Sequence, residues 1–458
     1  MTHHPAANLD HLWAHMSAAR WFSGKGRGGR LLALTALSPV ITEPSVRHVI
    51  ATVGYPEGPD EYYQLLLSTA SMDDEDVLLV DSEGAWRDAT NDPDALLAWA
   101  RAILSGAVDP TAHGDGGHWS IDTYRRVDGS RVRTARRFGG EQSNTSIELD
   151  DTLIIKLFRR LEPGENLDIV RHRGLNEAGV TSVATVHAAM HATVDVPEHH
   201  GASAEHPTTC PSGIASTLTT DLAMVVERLP HPRDGWQYFC DRARDLDDVG
   251  DDARQIGAGL AAIHRALADL STPTTVSGTR IADAMSARLH QACRRVPDLI
   301  ELQPALVRIF DPLRATSVPV QPVHGDFHLG QTLLTDDGWR IIDFEGEPLK
   351  TARERRQPDS RWKDVAGMVR SLSYATSATP DPHSTESQQW YRCARAAFLD
   401  GYGAATGRER NILAAYEADK AIYETVYEKL NRPEWIDVPL TALRELIGCP
   451  GSERGAAP

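Results

Sequence analysis

Two short polar motifs separated by a predicted hairpin constrain the fold of this chain most strongly. The first is Val-His-Gly-Asp-Phe-His-Leu-Gly-Gln at residues 323–331, and the second is Ile-Ile-Asp-Phe-Glu at residues 341–345. Between them lie two β-rich runs around an Asp-Asp-Gly turn, and such a pattern predicts a β-hairpin. If the turn is centred on Asp337, Gln331 and Asp343 lie opposite each other at the open end of the hairpin.

The residue types in these motifs suit phosphoryl transfer. That reaction needs Mg²⁺ held by few protein oxygens, and a carboxylate that accepts the proton of the attacking hydroxyl. Asp326 suits the base, and Gln331 and Asp343 suit the metal. Protein kinases place an Asn five positions after the catalytic Asp and an Asp-Phe-Gly downstream. Here Gln331 stands at the Asn position, Gly325 replaces the usual Arg, and Glu345 replaces the Gly. A surface hairpin with scattered acids is the alternative, and it leaves this spacing unexplained.

The same motifs carry a resemblance to a known family. His-Gly-Asp-Phe-His-Leu-Gly-Gln and Asp-Phe-Glu-Gly-Glu-Pro resemble segments of the aminoglycoside-phosphotransferase-like kinases, and within them the actinobacterial maltokinases. The related glucosamine kinases share much of this pattern. The resemblance covers nearly the whole chain and includes residues 21–26, 141–146, 423–424 and 431–433. It implies an α+β, bilobal, protein-kinase-like fold with an N-terminal β-rich cap domain.

Length and charge limit the class of protein. The chain has 458 residues and a net charge of −17 at pH 7. This length predicts two or three domains, and the charge argues against a nucleic-acid partner, because backbone phosphates would be repelled. The five cysteines are dispersed without metal-ligand spacing, which favours reduced thiols in a reducing compartment.

The sequence also predicts where the protein works. It has no signal-peptide pattern at its start and no apolar run long enough to cross a membrane. We therefore expect a cytoplasmic protein without membrane contact. The sequence does not determine the oligomeric state, and a monomer is favoured.

A nucleotide-binding region is predicted between residues 131 and 158. Two strand patterns flank a turn with the sequence Gly-Gly-Glu-Gln-Ser-Asn, whose amides could bind nucleotide phosphates. Lys156 follows within an apolar strand, as expected for the lysine that binds the α- and β-phosphates. The candidate residues of the turn are Gln142, Ser143 and Asn144.

A kinase lysine needs a carboxylate partner from the helix that follows its strand. That helix is predicted at residues 163–178, and the sequence leaves its partner residue open. The candidates are Glu165, Asp168 and Glu177.

The apolar run at residues 221–229 predicts a strand that leads into the hinge between the lobes of a kinase. The backbone near Glu227 and Leu229 could hydrogen-bond the edge of an adenine ring. Residues 190–216, which include His191, predict a polar loop before that strand. Further along, Asp364 resembles the structural aspartate that braces the catalytic loop in kinases.

The acceptor site is predicted on a helix near the C-terminus. Residues 415–428 have a helical pattern in which aromatic and charged side chains recur every three or four residues and so share a face. Aromatic faces bind the C–H surface of sugars, and carboxylate, amide and guanidinium groups bind their hydroxyls. An amphipathic packing helix is the alternative, and the resemblance to the maltokinase C-terminus favours the sugar site. The candidate substrate residues are His328, Tyr416, Asp419, Lys420, Tyr423, Glu424, Tyr427, Glu428, Asn431, Arg432 and Trp435.

Together these features predict a kinase that uses ATP and Mg²⁺ to phosphorylate a sugar hydroxyl. The expected domains are a cap at residues 1–90, an intermediate region with the N-lobe at 91–226, and a helical C-lobe at 227–458. The resemblance implies conversion of maltose to maltose 1-phosphate, and the alternative is a glucosamine kinase that forms glucosamine 6-phosphate. An antibiotic phosphotransferase would leave the cap segment at residues 21–26 unexplained. A non-catalytic kinase-like binding protein would leave the intact set of predicted base, metal and nucleotide residues unexplained.

Overall fold

A computed structural model describes most of the chain. The described ranges are 6–38, 40–42, 44–70, 76–81, 83–105, 116–139, 143–196, 216–348, 350–403 and 405–448. The chain divides into two compact units, one with residues up to 170 and 185–229, the other with residues 171–184 and from 230 onward. The predicted division into three domains, with boundaries at residues 90 and 226, remains a prediction.

The first unit is rich in β-structure. Its helices are α1 (Ala6–Ala18) and α2 (Pro93–Ser105), and α3 (Leu167–Glu177) begins in it. Its strands are β1 (Arg30–Ala36), β2 (Ile41–Thr42), β3 (Ser45–Gly54), β4 (Glu61–Ala70), β5 (Leu79–Asp81), β6 (Gly84–Asp88), β7 (Gly117–Thr123), β8 (Ala135–Arg137), β9 (Thr145–Leu149), β10 (Leu153–Leu157), β11 (Arg160–Leu161), β12 (Val186–Val196) and β13 (Ser216–Glu227).

These strands form two sheets. One has the order β1-β3-β4-β6-β5, with β2 on β3 and β11 on β4; the other has the order β7-β12-β13-β10-β9-β8. Side chains alternate along β3 and β4, so both faces of the first sheet are buried. Val49 and Leu65 pack with Leu12 of α1, whereas Ile50 and Leu66 pack on the opposite face, in the core shared with α2 and the second sheet.

The strand β12 corrects one prediction. Residues 190–196 were expected in a polar loop, but β12 continues through Val196. His191 therefore lies on a strand, where its Nε2 is 3.1 Å from Asp122 Oδ2 and its Nδ1 forms a short contact with Asp221. Polar residues on a half-exposed strand produced the loop-like pattern. The rest of the predicted loop, residues 197–215, lies outside the described ranges.

The second unit is mainly helical. Its helices are α4 (Gly235–Arg244), α5 (Gly250–Asp269), α6 (Gly278–Arg295), α7 (Asp298–Arg314), α8 (Ala352–Arg355), α9 (Trp362–Ala375), α10 (Thr385–Tyr402), α11 (Gly407–Asn431) and α12 (Asp437–Gly448). Its strands are β14 (Arg233–Asp234), β15 (Thr274–Ser277), β16 (Ser317–Val320), β17 (Thr332–Thr335) and β18 (Gly338–Ile341).

One hydrophobic core joins these helices to the hairpin β17–β18. It includes Leu260 of α5, Val369 of α9, Phe398 of α10 and Trp339 of β18. The predicted helix at 415–428 is confirmed and extends over the whole of α11. Thr406 begins it with a capping box to Glu409, which satisfies amide groups of the first turn. Within the described ranges, no helix combines the length and the apolar character that a membrane span requires.

Candidate active site

The predicted hairpin is present, but the pairing of its two strands is shifted by one residue from the predicted register. Thr332 pairs with Ile341 and Thr335 pairs with Gly338, so the turn has two residues and is centred between Asp336 and Asp337. The Ile342 N–H accordingly donates to Gln331 O. The prediction that Asp343 stands opposite Gln331 is therefore wrong, because the centre of the turn was placed half a residue too late.

Gln331 and Asp343 nevertheless meet, because the backbone turns after Ile342. Asp343 has a φ of 67°, a left-handed conformation that is rare for residues other than glycine. Gln331 Nε2 lies 3.2 Å from Asp343 Oδ2. Residues in such strained conformations are concentrated at functional sites.

Asp364 of α9 holds the loop that carries Asp326. The His324 N–H donates to Asp364 Oδ2 at 2.7 Å, and the Gly325 N–H donates to Oδ1 at 2.8 Å. His264 lies 2.8 Å from the same carboxylate. Burial opposes ionisation of Asp364, but its interactions with His264 and with the Gly325 amide hold its pKa below the ordinary value. Asp364 thus has the bracing position that the sequence predicts.

His324 connects the two motifs. Its Nε2 lies 2.9 Å from Ile342 O, and the Asp326 N–H donates to its Nδ1 at 3.4 Å. Burial lowers the pKa of His324, so the ring is neutral, with Nε2 as the donor and Nδ1 as the acceptor. This histidine fixes the loop of Asp326 to the strand end that precedes Asp343.

Arg171 supports the same two loops from α3, and sequence reasoning missed it. Its Nη1 donates to His324 O at 3.2 Å and to Phe344 O at 2.7 Å. The side chain is buried, with 5% exposure. An isolated arginine in a helix gives no local signal for such a role, because its partners lie more than 150 residues away.

Two glycines permit this loop to pack closely. Gly325 has a φ of 92°, a region that glycine enters without strain. On α9, a Cβ atom added to Gly367 would lie 2.4 Å from Phe327 O. A side chain at either position would displace the segment that carries Asp326.

Asp326 lines a cavity of about 570 Å³ in the second unit. Its carboxylate is partly exposed, and Lys420 Nζ lies 3.9 Å from its Oδ1. The cavity is bounded by α6, α9 and α11 and by the segment after Asp343. A carboxylate held by a braced loop at the wall of a cavity this size can accept a proton from a small bound hydroxyl compound.

One face of α11 brings four of the predicted substrate residues to this cavity. Tyr416, Asp419, Lys420 and Tyr423 all line it. The Tyr416 hydroxyl donates to Asp359 at 3.0 Å, and Asp419 accepts two hydrogen bonds from Arg288 at 2.9 and 2.7 Å. Lys420 lies over the Tyr423 ring, 5.5 Å from its centroid.

Several cavity residues were not assigned a role from the sequence. Lys363 of α9 lies 3.3 Å from Glu347 and 3.7 Å from Asp359, and all three line the cavity together with Arg288 of α6. Charged pairs of this kind present donors and acceptors side by side. Glu347 belongs to the Asp-Phe-Glu-Gly-Glu-Pro motif. The other three residues come from segments that the fold brings together.

The next face of α11 has different partners. Glu424 accepts a hydrogen bond from the buried Arg370 at 2.8 Å. Glu428 is 1% exposed and accepts from Tyr374 at 2.9 Å and from two guanidinium nitrogens of its near neighbour Arg432. Both Arg370 and Tyr374 lie on α9. Each residue of a helix is rotated by about 100° from the one before it, so Glu424 lies on a different face from Tyr423.

The remaining predicted substrate residues also lie off the cavity lining. Tyr427 is exposed and stacks on Tyr423, and Asn431 donates to Tyr427 O. Trp435 stacks on Tyr374, with ring centroids 6.3 Å apart, and lines a separate depression of about 320 Å³. His328 accepts the Gly330 N–H at 3.1 Å through Nδ1, and burial lowers its pKa.

The first unit contains the predicted nucleotide-binding residues. Lys156 Nζ lies 2.7 Å from Asp168 Oδ2, and Asp168 is almost fully buried. Of the three candidates, Asp168 thus forms an ion pair with the lysine. Glu165 precedes α3, which begins only at Leu167.

The other predicted nucleotide-binding residues that the structure describes lie at the ends of strands or in the loops beside them. Ser143 is exposed and Asn144 half-buried, and Asn144 Oδ1 accepts the Arg159 N–H at 3.3 Å. Gln142 lies outside the described ranges. At the end of β13, the Glu227 N–H donates to Thr185 O. Leu229 follows and is 6% exposed.

The pair Gln331 and Asp343 suits a magnesium ion by its donor chemistry. Mg²⁺ prefers oxygen ligands and is bound by one or two carboxylates together with substrate phosphates and water. The Gln331 amide presents its nitrogen to Asp343, and a half-turn of the amide group would place Oε1 there instead. Two oxygen donors from adjacent side chains would then be available to one cation.

Sequence comparison shows a match to one protein family and similarity to two glucosamine kinases. Residues 134–416 match the phosphotransferase enzyme family. A glucosamine kinase from Streptacidiphilus jiangxiensis is 30% identical over 252 residues, a match that spans 49% of this chain and 58% of that relative. A glucosamine kinase from Mycolicibacterium smegmatis is 25% identical over 405 residues, or 80% of this chain and 91% of that relative.

A solved structure shows the same fold over almost the full length. It is a glucosamine kinase in complex with glucosamine, ADP and inorganic phosphate, with a TM-score of 0.66 and 22% identity. The superposition covers 97% of this chain and 100% of that one. The predicted fold class is confirmed: helices and sheets are mixed in a kinase-like fold, and the N-terminal region is β-rich.

Proposed function

Since the chain belongs to the phosphotransferase enzyme family, we propose that it is an ATP-dependent kinase that phosphorylates a hydroxyl group of a small sugar. The observation that carries this proposal is the position of Asp326, whose carboxylate lines the cavity beside Lys420. The proposed acceptor binds in that cavity. Asp326 accepts the proton of its attacking hydroxyl, the role of the corresponding aspartate in kinases.

The loop around Asp326 supports this role because it is rigidly held. Asp364, His324 and Arg171 fix its backbone through hydrogen bonds to buried groups. A base positioned in advance loses little free energy to reorganisation when the acceptor arrives. Lys420 is suited to offset negative charge that develops near the attacking oxygen.

The phosphate donor requires a second set of residues. Lys156, oriented by Asp168, is proposed to bind the α- and β-phosphates of ATP. Gln331 and Asp343 are proposed to hold Mg²⁺, which neutralises phosphate charge during the transfer. Glu227 and Leu229 remain proposed contacts of the adenine edge, and Ser143 and Asn144 proposed contacts of the phosphates.

The cavity suits a polyhydroxylated acceptor. Tyr423 offers an aromatic face, and the pairs Asp419–Arg288 and Glu347–Lys363 offer acceptors and donors that hydroxyl groups can bridge. We propose glucosamine as the acceptor, since two relatives are glucosamine kinases. Maltose, which the motif resemblance implies, is the alternative acceptor.

A substrate screen tests the proposal. Purified protein is incubated with ATP and Mg²⁺ plus glucosamine, N-acetylglucosamine, glucose, maltose or an aminoglycoside, and ADP release is measured with mass spectrometry of the product. We expect glucosamine to give the highest kcat/KM and a product heavier by one phosphate. A preference for maltose would overturn the choice of acceptor, and absence of turnover with every sugar would overturn the kinase assignment.

A further inference from the structure

A second cavity, of about 540 Å³, lies among α9, α10, α11 and α12, and no described residue lines both it and the cavity of Asp326. Its walls combine apolar side chains with three arginines. The aliphatic side chains are those of Leu399, Ala405, Leu413, Ala414, Ala442 and Leu446. The arginines are Arg370, Arg395 and Arg410.

Arg370 lines this cavity, and one of its guanidinium donors is unsatisfied. The side chain is 2% exposed, its Nε donates to Glu424 at 2.8 Å, and its Nη1 donates to Ser373 at 3.2 Å. Its Nη2 is buried and has no hydrogen-bond partner among the described residues. A buried donor without a partner costs free energy, and an acceptor oxygen on a ligand would remove that cost.

Arg395 and Tyr391 provide further hydrogen-bond donors on the same wall of the cavity. Arg395 donates to the buried Glu417 at 2.7 Å, which fixes its guanidinium within the cavity. Burial raises the pKa of Tyr391 to about 12, so its hydroxyl stays protonated and can donate. Such a set of guanidinium and hydroxyl donors suits the oxygens of a carboxylate or a phosphate.

The exposed charged side chains of this cavity have different partners from the buried ones. Arg410 is exposed, and its hydrogen bond within the described ranges is to a carbonyl, Ala405 O, at 3.2 Å. Glu445 of α12 is an exposed carboxylate of the same cavity. A second exposed carboxylate, Asp400 of α10, accepts a hydrogen bond from Arg254 at 3.1 Å. Arg410 is therefore available to attract an anion, which Glu445 opposes.

We propose that this cavity is a second ligand site, which binds a small molecule carrying a carboxylate or phosphate group on an apolar body. The oxyanion lies toward Arg410, Arg370 and Tyr391, and the apolar body packs against the leucine side chains. This inference does not depend on the identity of the acceptor, because the two cavities have separate linings.

Calorimetric titration of the full chain with three probes tests the site. Benzoate and phenyl phosphate share an apolar ring and differ in the oxyanion, whereas inorganic phosphate has the oxyanion alone. We expect saturable binding of at least one ring-bearing probe, tighter than that of inorganic phosphate. The comparison of benzoate with phenyl phosphate then identifies the preferred oxyanion.

Three substitutions locate the binding. Arg410→Ala and Tyr391→Phe should each weaken the best probe, Arg410→Ala by about tenfold. Glu445→Gln should tighten it, because a repelling charge is removed. Arg408→Ala, an exposed arginine two residues earlier on α11, is the matched control and should leave binding unchanged. Melting curves verify that each variant is folded.

Two results would overturn the proposal. One is the absence of saturable binding for all three probes. The other is a probe that binds the Arg410→Ala, Tyr391→Phe and Arg408→Ala variants with equal affinity, since binding would then occur elsewhere. Binding is measured rather than activity, because an anion could also compete at the proposed nucleotide site.

Discussion

Gln331 Nε2 lies 3.2 Å from Asp343 Oδ2 although the hairpin register places Ile342 opposite Gln331. A shift of one residue along a strand normally turns a side chain to the other face. The left-handed backbone at Asp343 restores the contact. The contact thus results from a local backbone conformation at the end of the hairpin.

If this pair holds the metal, Asp343→Ala should abolish Mg²⁺-dependent turnover and leave acceptor affinity nearly unchanged. Even partners of metal ligands typically contribute 10–100-fold, so we expect a loss of at least about 100-fold. Turnover across a Mg²⁺ titration and calorimetry with the acceptor measure the two effects. Asp337→Ala, in the exposed hairpin turn, is the control. Lost acceptor binding with normal Mg²⁺ dependence would show that the metal is placed wrongly.

Lys156 and Asp168 should act as one unit in binding ATP. Asp168→Asn removes the charge that orients the lysine, so we expect it and Lys156→Met each to raise the KM for ATP while the acceptor KM stays constant. The double variant should then be little worse than Lys156→Met alone. Steady-state kinetics on the four proteins gives the coupling energy. If the effects of the two single substitutions on the KM for ATP simply added in the double variant, Lys156 and Asp168 would act independently and the prediction would be wrong.

The ion pairs of His191 predict a pH-dependent stability of the first unit. The hydrogen bond to Asp221 raises the pKa of His191 above its ordinary value of 6.5. A raised pKa stabilises the fold fully below the ordinary pKa, and the stabilisation is lost as pH rises through the folded-state pKa. His191→Gln should therefore lower Tm more at pH 6 than at pH 9. An equal loss at both values, or a pH-dependent loss in the exposed control His290→Gln, would contradict the assignment.

The two sides of the C-terminal region should respond differently to mutation. Tyr423→Ala removes a wall of the cavity and should raise the acceptor KM with the ATP KM unchanged. Trp435→Ala removes the stacking on Tyr374 and should lower Tm with little effect on either KM. Aromatic pairs contribute about 0.5–1.5 kcal/mol beyond buried area. If Trp435→Ala raised the acceptor KM and Tyr423→Ala did not, the acceptor would bind near Trp435 and not in the cavity of Asp326.

Local sequence patterns predicted those parts of the site whose residues lie close together in the sequence. The five-residue step from Asp326 to Gln331, the hairpin, and Lys156 within an apolar strand all follow from neighbours in sequence. The partner of Lys156 could not be chosen, because the choice depends on where α3 begins. The hairpin register was missed because an Asp-Asp-Gly turn allows more than one centre.

Long-range relationships could not be predicted in the same way. On α11, polar residues at helical spacing occupy two adjacent faces, and the sequence does not tell which face meets a cavity and which meets Arg370. The cavity residues Arg288 and Lys363 and the supporting Arg171 belong to distant segments. Their roles depend on tertiary packing, for which a single sequence contains no local signal.

The most direct test of the central claim is the turnover of Asp326→Asn with the preferred sugar. The change is isosteric, so the variant should keep its Tm and its acceptor affinity, while kcat falls by roughly 10²–10⁴-fold, the usual contribution of a general base. Calorimetry and melting curves provide the two controls. Near-normal kcat in the folded variant would contradict the account, because the cavity would then not contain the catalytic base.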